Sequence, residues 1–211
     1  MNYLLSYPRS GNTWLRYALE VLTGKRSIGY LNSNDFDKSI LLENRTKEIF
    51  MIKRHDTKDI ENVKNNKVIL LLRDYNDVLV RHKGGKFTIK DDHNSNTEVG
   101  YLKLIDFCEG FVGDKLVIYY EDLLTDLESQ LTKCNEFLEL DVPESDITNF
   151  MSNLATHKQK SINRYGNSVT KGNVNIKHSR IFTDSEILEN VEWLKTNKGV
   201  IFDKYLKRYE R

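Results

Sequence analysis

Apolar and polar positions along the chain follow two rhythms. Tyr3–Tyr7 is an apolar run of strand length, and Asn12–Leu22 then sets Trp14, Leu15, Ala18, Leu19 and Leu22 at helical spacing. Glu48–Lys53 reads as a second strand and Lys67–Leu72 as a third. The unbroken apolar run of the third suits a strand covered on both faces, as in parallel sheets. Asp74–Lys83 and Thr97–Val112 have helical periodicity. Lys115–Tyr120 is a fourth strand, and Leu127–Leu138 a helix carrying Leu131, Cys134, Phe137 and Leu138 on one side. Thr183-Asp184-Ser185-Glu186 has the form of a capping box and opens a helix through about Leu194. Strand and helix alternate through most of the chain, which predicts an α/β fold around a mainly parallel sheet. Two stretches show no period: the glycine-rich then polar 84–96, and the polar, basic 156–180. A stretch as long as the second is read as a ligand lid or a surface loop.

Composition bounds the function classes. The chain has 211 residues, with Lys+Arg 32 against Asp+Glu 31 and a net charge of +1. That balance argues against a general nucleic-acid binder, which is usually strongly basic, but it permits a local cationic site. The length fits a single domain over residues 1–211. No apolar run approaches the roughly 18 residues of a membrane span, and the first residues are too short for a signal-peptide core before Pro8-Arg9. Two cysteines make no disulfide framework, and no Cys/His cluster has zinc spacing. The expected setting is cytoplasmic, with no membrane partner.

The richest segment is Tyr7-Pro8-Arg9-Ser10-Gly11-Asn12-Thr13-Trp14, between the first strand and the first helix. Gly11 permits a tight turn, Ser10 and Thr13 offer hydroxyls, the helix start offers N–H groups, and Arg9 adds charge. Together they make an anion cradle. It is not the loop of ordinary ATP and GTP enzymes. Gly24-Lys25 is followed by Arg26, and Leu19 stands where the first glycine of that motif belongs.

This segment resembles the phosphosulfate loop of sulfotransferases that use 3′-phosphoadenosine 5′-phosphosulfate (PAPS), whose common form is Y-P-K-S/T-G-T-x-W. The resemblance implies a P-loop-kinase-like three-layer fold with a central parallel sheet flanked by helices. It implies that Arg9, Ser10, Gly11, Asn12 and Thr13 hold the 5′-phosphosulfate and that Trp14 stacks on adenine. Arg9 replaces the usual lysine, keeping charge but offering a planar fork. Lys53-Arg54-His55 is similar to the family's K-T-H. By that match His55 takes the proton of the attacking acceptor, for which an imidazole suits neutral pH, and Lys53 stabilises charge on the sulfuryl group.

Arg73-Asp74-Tyr75-Asn76-Asp77 with Arg81 is similar to R-N-P-x-D-x-x-x-S. The match implies that Arg73 grips the 3′-phosphate, with Arg81 at the family's serine position. Tyr120-Glu121-Asp122-Leu123 resembles Y-E-D-L, implying an adenine contact from Tyr120. Thr170-Lys171-Gly172 resembles the start of R-K-G-x-x-G, implying that Lys171 and Gly172 meet the 3′-phosphate, and Thr156 stands at an adenine-contacting position. The segments run in family order over residues 3 to about 190. They imply PAPS as co-substrate and a small-molecule or glycan acceptor, with sulfuryl transfer to a hydroxyl or amine and no metal. The other readings are a nucleotide or nucleoside kinase of related fold, separable by ATP and Mg²⁺ dependence, and a non-catalytic module binding sulfated or phosphorylated ligands.

Overall fold

A computed structural model describes residues 1–29, 48–83, 86–166 and 182–210. β1 (Asn2–Ser6) leads into α1 (Asn12–Thr23) and the short β2 (Arg26–Ile28). β3 (Ile49–Arg54) and β4 (Lys67–Leu72) precede three helices, α2 (Tyr75–Lys83), α3 (Ile89–Asn94) and α4 (Tyr101–Gly110). β5 (Asp114–Tyr119) is followed directly by α5 (Tyr120–Thr125), α6 (Leu127–Leu138), α7 (Glu144–Ser152) and α8 (Leu154–Gly166). α9 (Asp184–Ile201) runs into a C-terminal turn over Phe202–Tyr209.

The described strands form one parallel sheet in the order β2-β3-β1-β4-β5. Alternate side chains of a strand face opposite sides, and both sides are covered. Tyr3, Leu5 and Tyr7 join Val68, Leu70 and Leu72 in one apolar cluster, against α2, α4, α9 and the C-terminal turn. Leu4 joins Ile69, Leu71 and Ile118 in another, against α1, α6 and α7. This is the expected three-layer architecture. Neighbours on both sides make β1 the centre of the sheet, so the loop leaving it opens where the chain's crossovers diverge. Ligands of parallel α/β sheets bind at that point.

α1 is fixed from below by a buried network. Arg16 donates to Ser27 Oγ at 2.8 Å and to its carbonyl at 3.1 Å, and Ser27 N–H donates to Glu20 Oε1 at 2.9 Å. The network locks the helix to β2, a strand whose three residues are too few to show in a hydrophobic pattern.

Other departures have local causes. The stretch 84–96 contains α3, whose signal is the reciprocal capping of Thr88 and Asp91. α4 begins at Tyr101, with Gly100 as its N-cap, four residues later than the periodicity from Thr97 suggests. The fourth strand stops at Tyr119, and Tyr120 starts a helix instead of ending the strand. The stretch from Thr156 is also no irregular loop at its beginning, because residues 156–166 belong to α8. The rest of the expected lid, with Lys171 and Gly172, lies outside the described residues. The capping box at Thr183 forms as the sequence predicts.

Candidate functional site

The loop from β1 to α1 is tight and left-handed at two points, Arg9 (φ 75°) and Gly11 (φ 90°). Glycine takes this conformation without steric cost, whereas arginine does so only when held. Arg9 is held by its carbonyl, which accepts from Arg73 Nη1 at 3.2 Å. Gly11 has a second constraint. A Cβ there would lie 2.3 Å from Cδ2 of Tyr120, so the tyrosine ring rests directly on the glycine backbone. Trp14 N–H returns to the Gly11 carbonyl at 3.0 Å and starts the helix. The N–H groups of Asn12 and Thr13 precede the first intrahelical bond and face out of the helix end, where the dipole is positive. Ser10 is fully buried, and its Oγ meets no hydrogen-bond partner among the described residues. A buried hydroxyl left this way costs about 1–3 kcal/mol, and an anion in the loop would satisfy it.

Cations gather round this loop from β4 and α2. The Arg73 guanidinium lies 4.2 Å over the Tyr120 ring and bonds Asp77 at 3.1 Å. Burial depresses the Arg9 guanidinium, and the fields of Arg81 and Arg73 depress it further. His82 is pushed down by burial, Lys83 and Arg9. A ligand of high negative charge would relieve this mutual repulsion.

His55 follows the last residue of β3, one strand from the loop. Its Nδ1 lies 2.6 Å from the carbonyl of Ser6, where β1 ends. A carbonyl only accepts, so Nδ1 carries the hydrogen and the neutral ring has its basic lone pair on Nε2. Lys53 is level with Leu4 in the sheet and therefore lies on the face covered by α1. Arg54 is level with Leu5 on the other face. It pairs with Asp56 at 2.6 Å and bonds the Lys58 carbonyl, which gathers the turn that follows His55.

The structure thus brings Arg9, Ser10, Gly11, Asn12, Thr13, Lys53, His55, Arg73 and Tyr120 to neighbouring strand ends and helix starts, and Arg81, in the last turn of α2, within electrostatic reach of Arg9. Trp14 and Thr156 stand further along α1 and α8, at an aromatic cage. Trp14 stacks on Tyr17 with centroids 5.8 Å apart, Phe150 stacks on His157 at 4.2 Å, and Tyr17 Oη meets His157 Nδ1 at 3.2 Å. Thr156, next to His157 in the chain, is exposed.

Sequence reasoning missed the polar groups behind the loop. Tyr7 Oη donates to Asp92 at 2.9 Å, and the same carboxylate accepts from Tyr101 N–H at 2.6 Å. Burial raises the Asp92 carboxyl above its ordinary range. Nothing in sequence spacing pairs residues 85 positions apart. The Thr88–Asp91 capping box, which places α3 and so Asp92, was the one legible hint. No group of three or more His, Cys, Asp or Glu among the described residues is arranged to hold a metal ion.

Comparison with known proteins gives a consistent result. The sulfotransferase domain family model matches residues 3–195. Curated relatives include WSCD family members of Drosophila pseudoobscura pseudoobscura, 28% identical over 67% of this chain, and of Aedes aegypti, 28% identical over 66%. The chain spans about half the length of these relatives, 51% and 50% respectively. Among solved structures, mouse sulfotransferase SULT7A1 complexed with PAP superposes with a TM-score of 0.57 at 16% identity, covering 99% of this chain and 88% of that one. Retinol dehydratase in complex with androsterone and the inactive cofactor PAP gives 0.52 at 14% identity, covering 97% and 81%. At such identities the structural likeness speaks for the fold.

Proposed function

Since the chain belongs to the sulfotransferase domain family, we propose that it transfers a sulfuryl group from PAPS to an acceptor hydroxyl or amine, with His55 as the general base. The observation that carries this reading is the bond from His55 Nδ1 to the Ser6 carbonyl. It puts the imidazole at the end of β1, where the loop begins whose own hydroxyl, on Ser10, has no hydrogen-bond partner among the described residues.

PAPS supplies an activated sulfuryl group on a phosphate leaving group. This chain's residues bind and orient it. Ser10, Gly11 and the N–H groups of Asn12 and Thr13 hold the 5′-side, and Arg9 and Lys53 neutralise charge that grows during transfer. Arg73 and Arg81 hold the 3′-phosphate. Tyr120, pressed on Gly11 and under Arg73, contacts the adenosine, with Trp14 and Thr156 at its far end. His55 removes the acceptor proton at Nε2 as its oxygen or nitrogen attacks. Positioning and charge stabilisation dominate transfers of this kind, as they do for phosphoryl groups. The acceptor is a small molecule or a glycan. Support for a small molecule comes from retinol dehydratase, whose complex contains androsterone.

The test is calorimetric titration with 3′-phosphoadenosine 5′-phosphate (PAP) against ADP, followed by turnover with PAPS. Tight preference for PAP is expected. Equal affinity, or preference for ADP, would overturn the assignment. PAP binding without turnover on any acceptor would reduce the chain to a binding module.

A further inference from the structure

The peptide unit joining Arg73 to Asp74 is gripped at both of its polar ends. Its carbonyl accepts from Tyr101 Oη at 2.7 Å, and its N–H donates to Glu121 Oε1 at 3.1 Å. The peptide is planar and its flanking Cα atoms are held by the chain, so bonds to both its oxygen and its hydrogen stop it from turning about the Cα–Cα axis. That plane sets the direction in which the Arg73 side chain leaves the end of β4. The adjoining Asp74 carboxylate accepts from Asn76 N–H at 3.0 Å and anchors the same unit to the start of α2.

Glu121 is held in turn from the C-terminal turn, where Tyr209 Oη donates to its Oε2 at 2.9 Å. This turn lies beyond residues 3–195, the span that matches the family. It is firmly docked. Arg208 forks onto Asp122 at 3.0 and 2.6 Å and lies 4.1 Å over the Tyr119 ring. Tyr119 Oη donates to the Tyr205 carbonyl at 3.1 Å. Tyr101 and Tyr209 are buried, at 1% and 4% exposure. Burial raises both phenols far above their ordinary range, so both remain protonated donors. The segment Tyr120-Glu121-Asp122 therefore does three things: the ring covers Gly11, the first carboxylate aligns the Arg73 peptide, and the second fastens the turn.

We propose that Tyr209, acting through Glu121, is a positioning residue for Arg73, and that the C-terminal turn thereby sets the preference of this site for a nucleotide bearing a 3′-phosphate. The proposal rests on the assignment of Arg73 to that phosphate. Packing alone does not need the Tyr209 hydroxyl, since its ring edges onto Tyr75 and Tyr119, with centroids 6.2 and 6.3 Å away, would be kept by phenylalanine.

The experiment titrates the full chain with PAP and with adenosine 5′-phosphate, and takes the ratio of the two affinities. Tyr209→Phe should lower the ratio about three- to ten-fold, the range of one lost hydrogen bond. Affinity for adenosine 5′-phosphate should hardly change. In an Arg73→Ala background, Tyr209→Phe should lower the ratio no further, because the effect passes through that side chain. Tyr205→Phe is the control, since its hydroxyl bonds Glu109 and not Glu121, and it should leave the ratio intact. A wild-type ratio in Tyr209→Phe, an equal fall in the Arg73→Ala background, or an equal fall in Tyr205→Phe would each overturn the positioning role. A wild-type chain that does not prefer PAP would overturn it together with the assignment of Arg73.

Discussion

The two halves of the candidate anion site are built on opposite terms. At the end of β1, Ser10 keeps a buried hydroxyl without a partner among the described residues, and Arg9 sits at a positive φ. At the end of β4, the Arg73 carbonyl, the Asp74 N–H and the Asp74 carboxylate all have protein partners. The first half keeps a polar group that a bound anion would satisfy. The second is pre-organised and presents a cation whose direction is already set. Strain and unsatisfied groups concentrate where binding energy can relieve them. Rigid support concentrates where a fixed charge must discriminate between ligands.

The largest expected effect lies at the edge of the β1 half, at His55. His55→Ala should lower turnover by about 10²–10⁴, the usual cost of losing a general base. PAP affinity should be unchanged if, as proposed, the imidazole serves the acceptor and not the nucleotide. Steady-state kinetics with calorimetry on the same sample separates the two. Turnover at the wild-type rate would remove His55 from the reaction. A parallel loss of PAP affinity would mean that the Ser6–His55 bond supports the loop itself.

Next in size is the pre-organised half. Arg73→Ala should weaken PAP by about 10- to 150-fold, the equivalent of roughly 1.5–3 kcal/mol for charged hydrogen bonds. Adenosine 5′-phosphosulfate, which lacks the 3′-phosphate, should lose much less. Arg73 also bonds the Arg9 carbonyl, so some loss on both ligands is expected through the loop. Equal loss on both would make Arg73 only a support for Arg9 and would erase the contrast between the halves.

What was legible in the sequence divides along the same line. The turn of the loop could be read because glycine marks its positive φ, and the hydroxyls, helix start and arginine beside it mark it as a candidate anion site. The parallel sheet could be read from runs such as Val68–Leu72, buried on both sides. The support behind Arg73 could not. Tyr101, Glu121 and Tyr209 meet it from 28, 47 and, through Glu121, a further 88 positions away. Only the folded topology brings them together. β2 was invisible for another reason: three residues are held by a register with β3 and by the Arg16–Ser27 bonds, not by any pattern of their own. α8 escaped because its sequence is polar, with 156–160 intermediate or exposed, so little apolar period remains to read.

Gly11 gives a smaller but sharper test of the loop. Gly11→Ala imposes a side chain at φ 90°, in a left-handed region that costs a non-glycine residue roughly 1–2 kcal/mol. Its methyl would also overlap Tyr120, displacing the ring from under Arg73. The variant should melt several degrees lower and bind PAP more weakly. Tyr120→Ala in the same chain should restore much of the stability, because it removes the overlap, but not the affinity, because the ring is lost. Restored affinity would show that the ring merely covers the glycine.

Ser10→Ala is the smallest change, and its two readouts are expected to move in opposite directions. The hydroxyl is buried and has no partner among the described residues, so deleting it removes a desolvated polar atom and no protein hydrogen bond. Folding stability should stay level or rise by up to about 1–3 kcal/mol, the cost of such an unsatisfied group. PAP affinity should fall by a few-fold up to roughly tenfold, as the ligand loses the group that its anion would have satisfied. Thermal melting without nucleotide and calorimetry with PAP read the two effects separately. Stability and affinity falling together would show that Ser10 serves the fold of the loop, and the β1 half would then be as self-sufficient as the turn at β4.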